Sequence, residues 1–198
     1  MDAGAFDAQI IDIPEAPGLS IDEGVRRGTT VEALGALKPV FREDGVIHAG
    51  NSSQISDGSA ALLIASREKA ASLGLRPIVR YAGAAVAGSD PIKMLTGPIP
   101  ATYKLLQRTG LSIGDIGTYE INEAFAPIPM AWAVDLGADA ARMNPEGGAI
   151  AMGHPLGASG AILMTKLVHR MRSEGLRYGL QVICEGGGTS NASLLELL

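Results

Sequence analysis

Aromatic side chains are scarce in this 198-residue chain, with Phe, Tyr and Trp together making only 4% of it. Hydrophobic residues nevertheless make 46%, so a sizeable core is available and must be aliphatic. A single cysteine, Cys184, excludes an internal disulfide and any paired-cysteine metal knuckle. It fits a reducing compartment, and a cytoplasmic location without a metal site is the expectation. No apolar run approaches the ~18 residues that crossing a bilayer requires. Met1 to Asp12 is acidic and has no positively charged start before an apolar core, so it reads as no secretory signal. Basic residues are also few. The net charge is −5 and no basic run exceeds Arg26-Arg27, which leaves no face able to neutralise nucleic-acid phosphates.

Glycine is abundant, at 26 residues, and it is clustered rather than periodic, which argues for tight functional loops. The first forty residues are broken by Pro14, Pro17, Gly18, Gly24, Gly28 and Pro39, with one short helix expected over Thr30–Leu37. Strands are expected at Gly45–Ala49 and, as a buried apolar run, at Ser59–Ala65. A helix follows over Arg67–Leu73. From there the chain alternates: strand Pro77–Ala82, helix Pro100–Thr109, strand Thr118–Ile121, helix Pro129–Leu136, helix Ser159–Glu174, then strands Leu180–Ile183 and Ala192–Leu197. In the longest helix, Leu163, Leu167 and Met171 share one face, and Lys166, His169, Arg170 and Ser173 the other. Such alternation predicts an α/β layered domain with a mixed sheet.

Three glycine-flanked clusters carry chemically capable side chains. They are Asn122-Glu123-Ala124-Phe125-Ala126, the long run Gly147 to Ala161 containing His154, and Cys184-Glu185-Gly186-Gly187-Gly188. Each taken singly has a plain structural reading: a strand-end cap for Asn122, a turn residue for His154, a small buried hydrophobe for Cys184. The glycine spacing matches neither a Walker loop nor a dinucleotide turn. Together, however, a thiol, an imidazole and a carboxamide on the loops of one domain are equipment for acyl transfer. An imidazole next to a thiol favours thiolate, and consecutive backbone N–H groups of a glycine turn can stabilise an oxyanion.

Those clusters, in that order and spacing, resemble the signature of the thiolases, the CoA-dependent carbon–carbon acyltransferases. Ala49-Gly50-Asn51-Ser52-Ser53 with Asp57-Gly58, and Gly97-Pro98-Ile99-Pro100-Ala101-Thr102, extend the likeness over nearly the whole chain. The resemblance implies a thiolase-like layered fold in which 1–73 is the trailing part of the loop region and N-terminal domain, and 74–198 the C-terminal domain. It implies that Cys184 is the acid/base cysteine and that His154 activates the nucleophile and binds the thioester oxygen. Asn122 would orient a water in that oxyanion hole, and the Gly186 N–H would serve a second one. Phe125 would line the acyl site, while Ser53 and Arg26 would contact the pantetheine and the adenosine phosphate end of CoA.

The departure from the family is that the family's nucleophilic cysteine lies in the N-terminal half, and this chain has no second cysteine. The expected role is therefore to supply acid/base and oxyanion groups for reversible condensation or thiolysis of 3-ketoacyl-CoA. Acetyl-CoA and acyl-CoA would be substrates, with no further cofactor, and the partner would be an N-terminal thiolase half or other thiolase subunits in a homo- or hetero-oligomer. The alternative is a non-catalytic, thiolase-derived CoA-binding or scaffold subunit. A ketosynthase-like relative is disfavoured by Cys184-Glu185-Gly186-Gly187-Gly188 near the end.

Overall fold

The computed structural model describes residues 1–198 except Asp12 and Ser20. It divides into two units, Met1–Ala36 and Leu37–Leu198. The first is built of turns and one helix, α1 (Val31–Gly35). Thr30 caps α1 by accepting from the Ala33 N–H at 3.1 Å, which satisfies one of the donors a helix start leaves unpaired. Asp2 accepts from Arg27 at 2.6 Å, an exposed pair of small energetic weight.

The second unit holds one mixed sheet. After the short helix α2 (Arg67–Ser72), the chain forms β1 (Val79–Gly88), α3 (Pro98–Thr109), β2 (Thr118–Ile121) and α4 (Pro127–Leu136). The one-turn helix α5 (Ala149–Met152), α6 (Ser159–Glu174), β3 (Tyr178–Cys184) and β4 (Thr189–Leu197) complete it. The strand order is β1-β4-β3-β2. β4 runs antiparallel to both β1 and β3, and β2 lies parallel to β3. Proline in the first turn favours the start of α3 because its missing N–H is unpaired there in any residue.

Both faces of the sheet are covered, as alternation along each strand requires. Leu180, Val182 and Leu194 pack with Leu105, Trp132 and Tyr119 on the α3 and α4 side. Leu195 packs with Leu167, Val168 and Met171 of α6 on the other. The single tryptophan is fully buried, and its indole N–H donates to Thr102 Oγ1 at 2.9 Å, so its polar end is not orphaned.

Two strand expectations fail, and one surface expectation. Gly45–Ala49 is irregular and leads into a 3₁₀ turn at Ala49–Asn51. Ser59–Ala65 forms no strand either, and Leu63 and Ile64 are each 83% exposed. Among the described residues no strand pairs with it, so its backbone has no ladder to join. Lys166, expected on the solvent face of α6, has a side chain only 9% exposed and is paired with Glu120. Elsewhere the elements hold with shifted ends: β1 runs on to Gly88, and α3 and α4 each begin two residues early.

Candidate active site

The parallel pairing of β2 and β3 sets where chemistry can occur. Ile121 lies opposite Val182, so both strands deliver their C-terminal ends to the same edge of the sheet. Loops converge there, and that is where ligands of α/β sheets sit. Asn122 follows β2 directly, with its N–H on Val182 O at 2.9 Å. Cys184 is the last residue of β3.

The β2 edge is finished by a side chain. Asn144, held at φ 46°, accepts from the Ile121 N–H at 2.8 Å and donates to the Ile121 carbonyl at 2.9 Å. Its carboxamide thus replaces the ladder bonds of a neighbouring strand, and asparagine tolerates that backbone conformation better than most residues. Asn144 also donates to Glu123 at 2.6 Å, and Glu123 accepts the Ile150 N–H at 3.1 Å. A β-carbon at position 148 would run into the Glu123 carboxylate. Gly148 leaves the room that the Glu123 carboxylate takes up in this approach.

His154 is reached through the same loop. Its N–H donates to the Gln54 carbonyl at 3.0 Å, and Gln54 donates to Ile150 O at 3.3 Å. Gly153, at φ 91° and packed against Ser56, makes the turn that only glycine adopts freely. The ring Nδ1 lies 2.6 Å from Ser159 Oγ, and Ser159 Oγ donates to Pro155 O at 2.9 Å. A hydroxyl has one proton. Satisfying both contacts puts the imidazole proton on Nδ1 and leaves the Nε2 lone pair to accept from Asn122 Nδ2 at 3.2 Å. Burial holds the His154 pKa below its ordinary value, which keeps the ring neutral and basic at Nε2.

The Asn122 side chain also neighbours the Cys184 thiol closely enough to favour its ionised form. It is thus the shared neighbour of imidazole and thiol, and its Oδ1 is buried without a protein partner. Such an acceptor wants a donor from outside the chain. Cys184 is 8% exposed. Burial pushes its thiol pKa up, with the Asn122 hydrogen bond acting in the opposite direction and the Glu185 charge adding to the rise. The glycines that follow Cys184 leave it buried all the same. Glu185 turns away to accept from Thr189 at 2.9 Å and Asn191 at 2.8 Å.

Gly186 opens the 3₁₀ turn Gly186–Gly188 two residues past the thiol, with Gly186 and Gly187 exposed and Gly188 buried. Ser53 is brought in by its N–H on Ala124 O at 3.0 Å, next to the Ser52–Phe125 bridge. Phe125 is half-buried and stacks edge-on against Phe41, ring centroids 5.7 Å apart. A cleft of about 400 Å³ opens between Ser56–Ala60 and Pro155–Ala158. Arg26 lies exposed in the other unit, Met1–Ala36. Ser159, Glu123 and Gly148 lie within the glycine-flanked sequence clusters, where no role is assigned to them, and Asn144 lies outside those clusters. An asparagine before proline in a loop, Asn144-Pro145, was the available signal for the last.

The thiolase C-terminal domain family matches residues 75–197, and the thiolase N-terminal domain family matches residues 1–68. The chain belongs to the thiolase family. It is 49% identical to the steroid 3-ketoacyl-CoA thiolase of Mycobacterium tuberculosis over 99% of its length and 48% of that protein's. It is 42% identical to the acetyl-CoA acetyltransferase of Escherichia coli, over 100% of the chain and 52% of the relative. The crystal structure of the Bacillus anthracis acetyl-CoA acetyltransferase superposes with a TM-score of 0.91 at 41% identity, over 100% of this chain and 51% of that one. Human mitochondrial 3-ketoacyl-CoA thiolase in complex with CoA gives 0.89 at 37% identity, over 100% and 50%. The thiolase-like α/β layering with a mixed sheet is therefore the fold of this chain. The chain spans about half the length of the curated relatives it matches. Among the described residues no helix is long and apolar enough to cross a membrane.

Proposed function

We propose that this chain is the acid/base and oxyanion portion of a thiolase, acting on CoA thioesters with a nucleophilic cysteine that its own sequence does not contain. The observation that carries the reading is that Asn122, bonded to His154, and Cys184 sit at the C-terminal ends of two paired strands, at one sheet edge. His154 Nε2, with its lone pair free of a proton, takes the proton of the attacking thiol. The resulting Nε2–H donates to the thioester oxygen as negative charge develops. Asn122 Oδ1 orients a water in that hole.

Cys184 removes a proton from the α-carbon of acetyl-CoA, and the carbanion attacks the acyl carbonyl held on the nucleophilic cysteine. That cysteine leaves as thiolate. In thiolysis Cys184 returns the proton. The Gly186 N–H supports the acetyl-CoA oxygen, Phe125 lines the acyl site, and Ser53 and Arg26 contact the pantetheine and adenosine phosphate of CoA. Residues 1–73 complete the N-terminal side of such an enzyme and 74–198 form its C-terminal domain, in a cytoplasmic oligomer. No cofactor beyond CoA thioesters is used.

The test mixes the chain with an N-terminal thiolase segment that carries a nucleophilic cysteine and follows acetoacetyl-CoA cleavage by CoA. Neither piece is active alone, and together they turn over. Cleavage by this chain alone overturns the reading. CoA binding by the mixture with neither acylation of the partner cysteine nor turnover makes it the non-catalytic subunit instead.

A further inference from the structure

Lys166 is a charged side chain in the interior of a domain whose glycine-rich loop bends around it. Its ammonium sits 3.2 Å from Glu120 of β2, with side chains 9% and 2% exposed, and donates a second hydrogen bond to the Gly147 carbonyl. Glu120 is one residue before Ile121, and Gly147 is one residue before the glycine that abuts Glu123. A buried ion pair is weak evidence for stability, because desolvation offsets the attraction. Its place among buried side chains asks for another role.

The loop supplies one. Residues 144–150 are fixed at one end by Asn144 on Ile121 and at the other by Ile150 on Glu123. Between these anchors Lys166 donates to the Gly147 carbonyl, while Gln54 donates to the carbonyl of Ile150 at the far anchor. His154 lies directly beyond, two residues past α5. Lys166 also spans three elements at once, since it stands on α6, the helix that Ser159 opens, reaches β2, and grips the loop.

We propose that Lys166 is a positioning residue for His154, acting by donating to the Gly147 carbonyl and so setting the course of the 147–154 loop. The proposal rests on the thiolase reading of the site, but its test needs no turnover. Other charges near the pair are Glu123 and Glu146 from the loops and Arg170 from α6, the last paired with Glu146 at 3.6 Å.

Removing the ammonium could disturb the fold simply by leaving Glu120 charged and unpaired. Two variants separate that from positioning: Lys166→Met, and the double variant Glu120→Gln with Lys166→Met, which removes both charges together. The readouts are amide hydrogen exchange along the full chain and the ring ¹⁵N resonances of His154. In both variants exchange over 147–154 rises by about tenfold or more while β3 and α6 keep their protection, and the His154 resonances move. If Lys166→Met fails to fold, the double variant decides alone. Wild-type exchange in the double variant means that Lys166 only neutralises Glu120, and overturns the proposal. So does an equal rise over β2, β3 and α6. Loss of turnover by the wild-type mixture would instead strike the functional reading and leave these exchange results standing.

Discussion

Asn122 Nδ2 lies 3.2 Å from His154 Nε2, and the tautomer that makes this a hydrogen bond is set on the far side of the ring by Ser159. The carboxamide cannot donate to a nitrogen that carries a proton, so Nδ1–H on Ser159 Oγ at 2.6 Å is the condition for a free Nε2 lone pair. The imidazole thus presents an unprotonated Nε2 without any ligand.

Ser159→Ala is expected to release that constraint. The ring ¹⁵N shifts of His154 should move from the Nδ1–H pattern toward a mixture with Nε2–H. Unchanged shifts would mean that Asn122 alone sets the tautomer.

In the reconstituted enzyme, His154→Asn should slow acylation of the partner cysteine by 10²–10⁴-fold, the usual range of general acid–base assistance, or roughly 3–5 kcal/mol. His169→Asn is the internal control. His169 is exposed on α6 with only a 3.5 Å approach to Arg172, and its loss should leave acylation rates within about twofold, as surface changes generally do. Comparable losses at both positions would refute the assignment of His154.

How much of this could be read from the sequence varies by residue for physical reasons. α6 was readable to both ends because its apolar spacing and Gly175 stop are local signals. Ser59–Ala65 was not, because pattern alone says that a segment could pair, while pairing depends on a neighbour elsewhere. Lys166 looked solvated because a charge on a helix usually is, and only the position of Glu120 across the sheet reverses that. The site residues were legible as a family pattern, yet the bonds that orient them were not. Asn144 mimics a strand through its side chain, and the proton on His154 is fixed by a serine five residues on.

Glu120 should give the chain a distinctive stability profile. Burial raises its pKa from 4.5 to about 7, partly offset by Lys166. Because the folded value is the higher one, the favourable contribution is complete below about 4.5 and is lost as pH rises through about 7. Between those values the folded state binds more protons than the unfolded state. Glu120→Gln should flatten the fall in denaturant midpoint across this window, even if it lowers the midpoint throughout. An unchanged slope would assign the pH dependence to other groups. His154 acts in the opposite sense. Its lowered pKa contributes stability that is present above the unfolded value and lost as pH falls through the folded one, so the comparison is made on a His154→Asn background as well.

Cys184 separates acid/base chemistry from packing. Its burial and raised pKa make it a poor nucleophile toward reagents, since the thiolate is the reactive form. Alkylation of the folded chain at neutral pH should be at least about tenfold slower than of the unfolded chain. A proton carrier, by contrast, needs only contact with the substrate carbon and a partner that eases ionisation, which Asn122 supplies. Cys184→Ser keeps the shape and places a hydroxyl beside the Asn122 side chain, so it should cost about 1 kcal/mol or less in stability. The alcohol's pKa is several units higher, and the condensation step of the reconstituted enzyme should fall by about 10²-fold or more. Acylation of the partner cysteine should persist, because that proton transfer belongs to His154. A trapped acyl-enzyme assay beside full turnover on the same variant distinguishes the two steps. If acylation and turnover fail together with a lowered melting temperature, Cys184 is a packing residue and another group removes the α-proton.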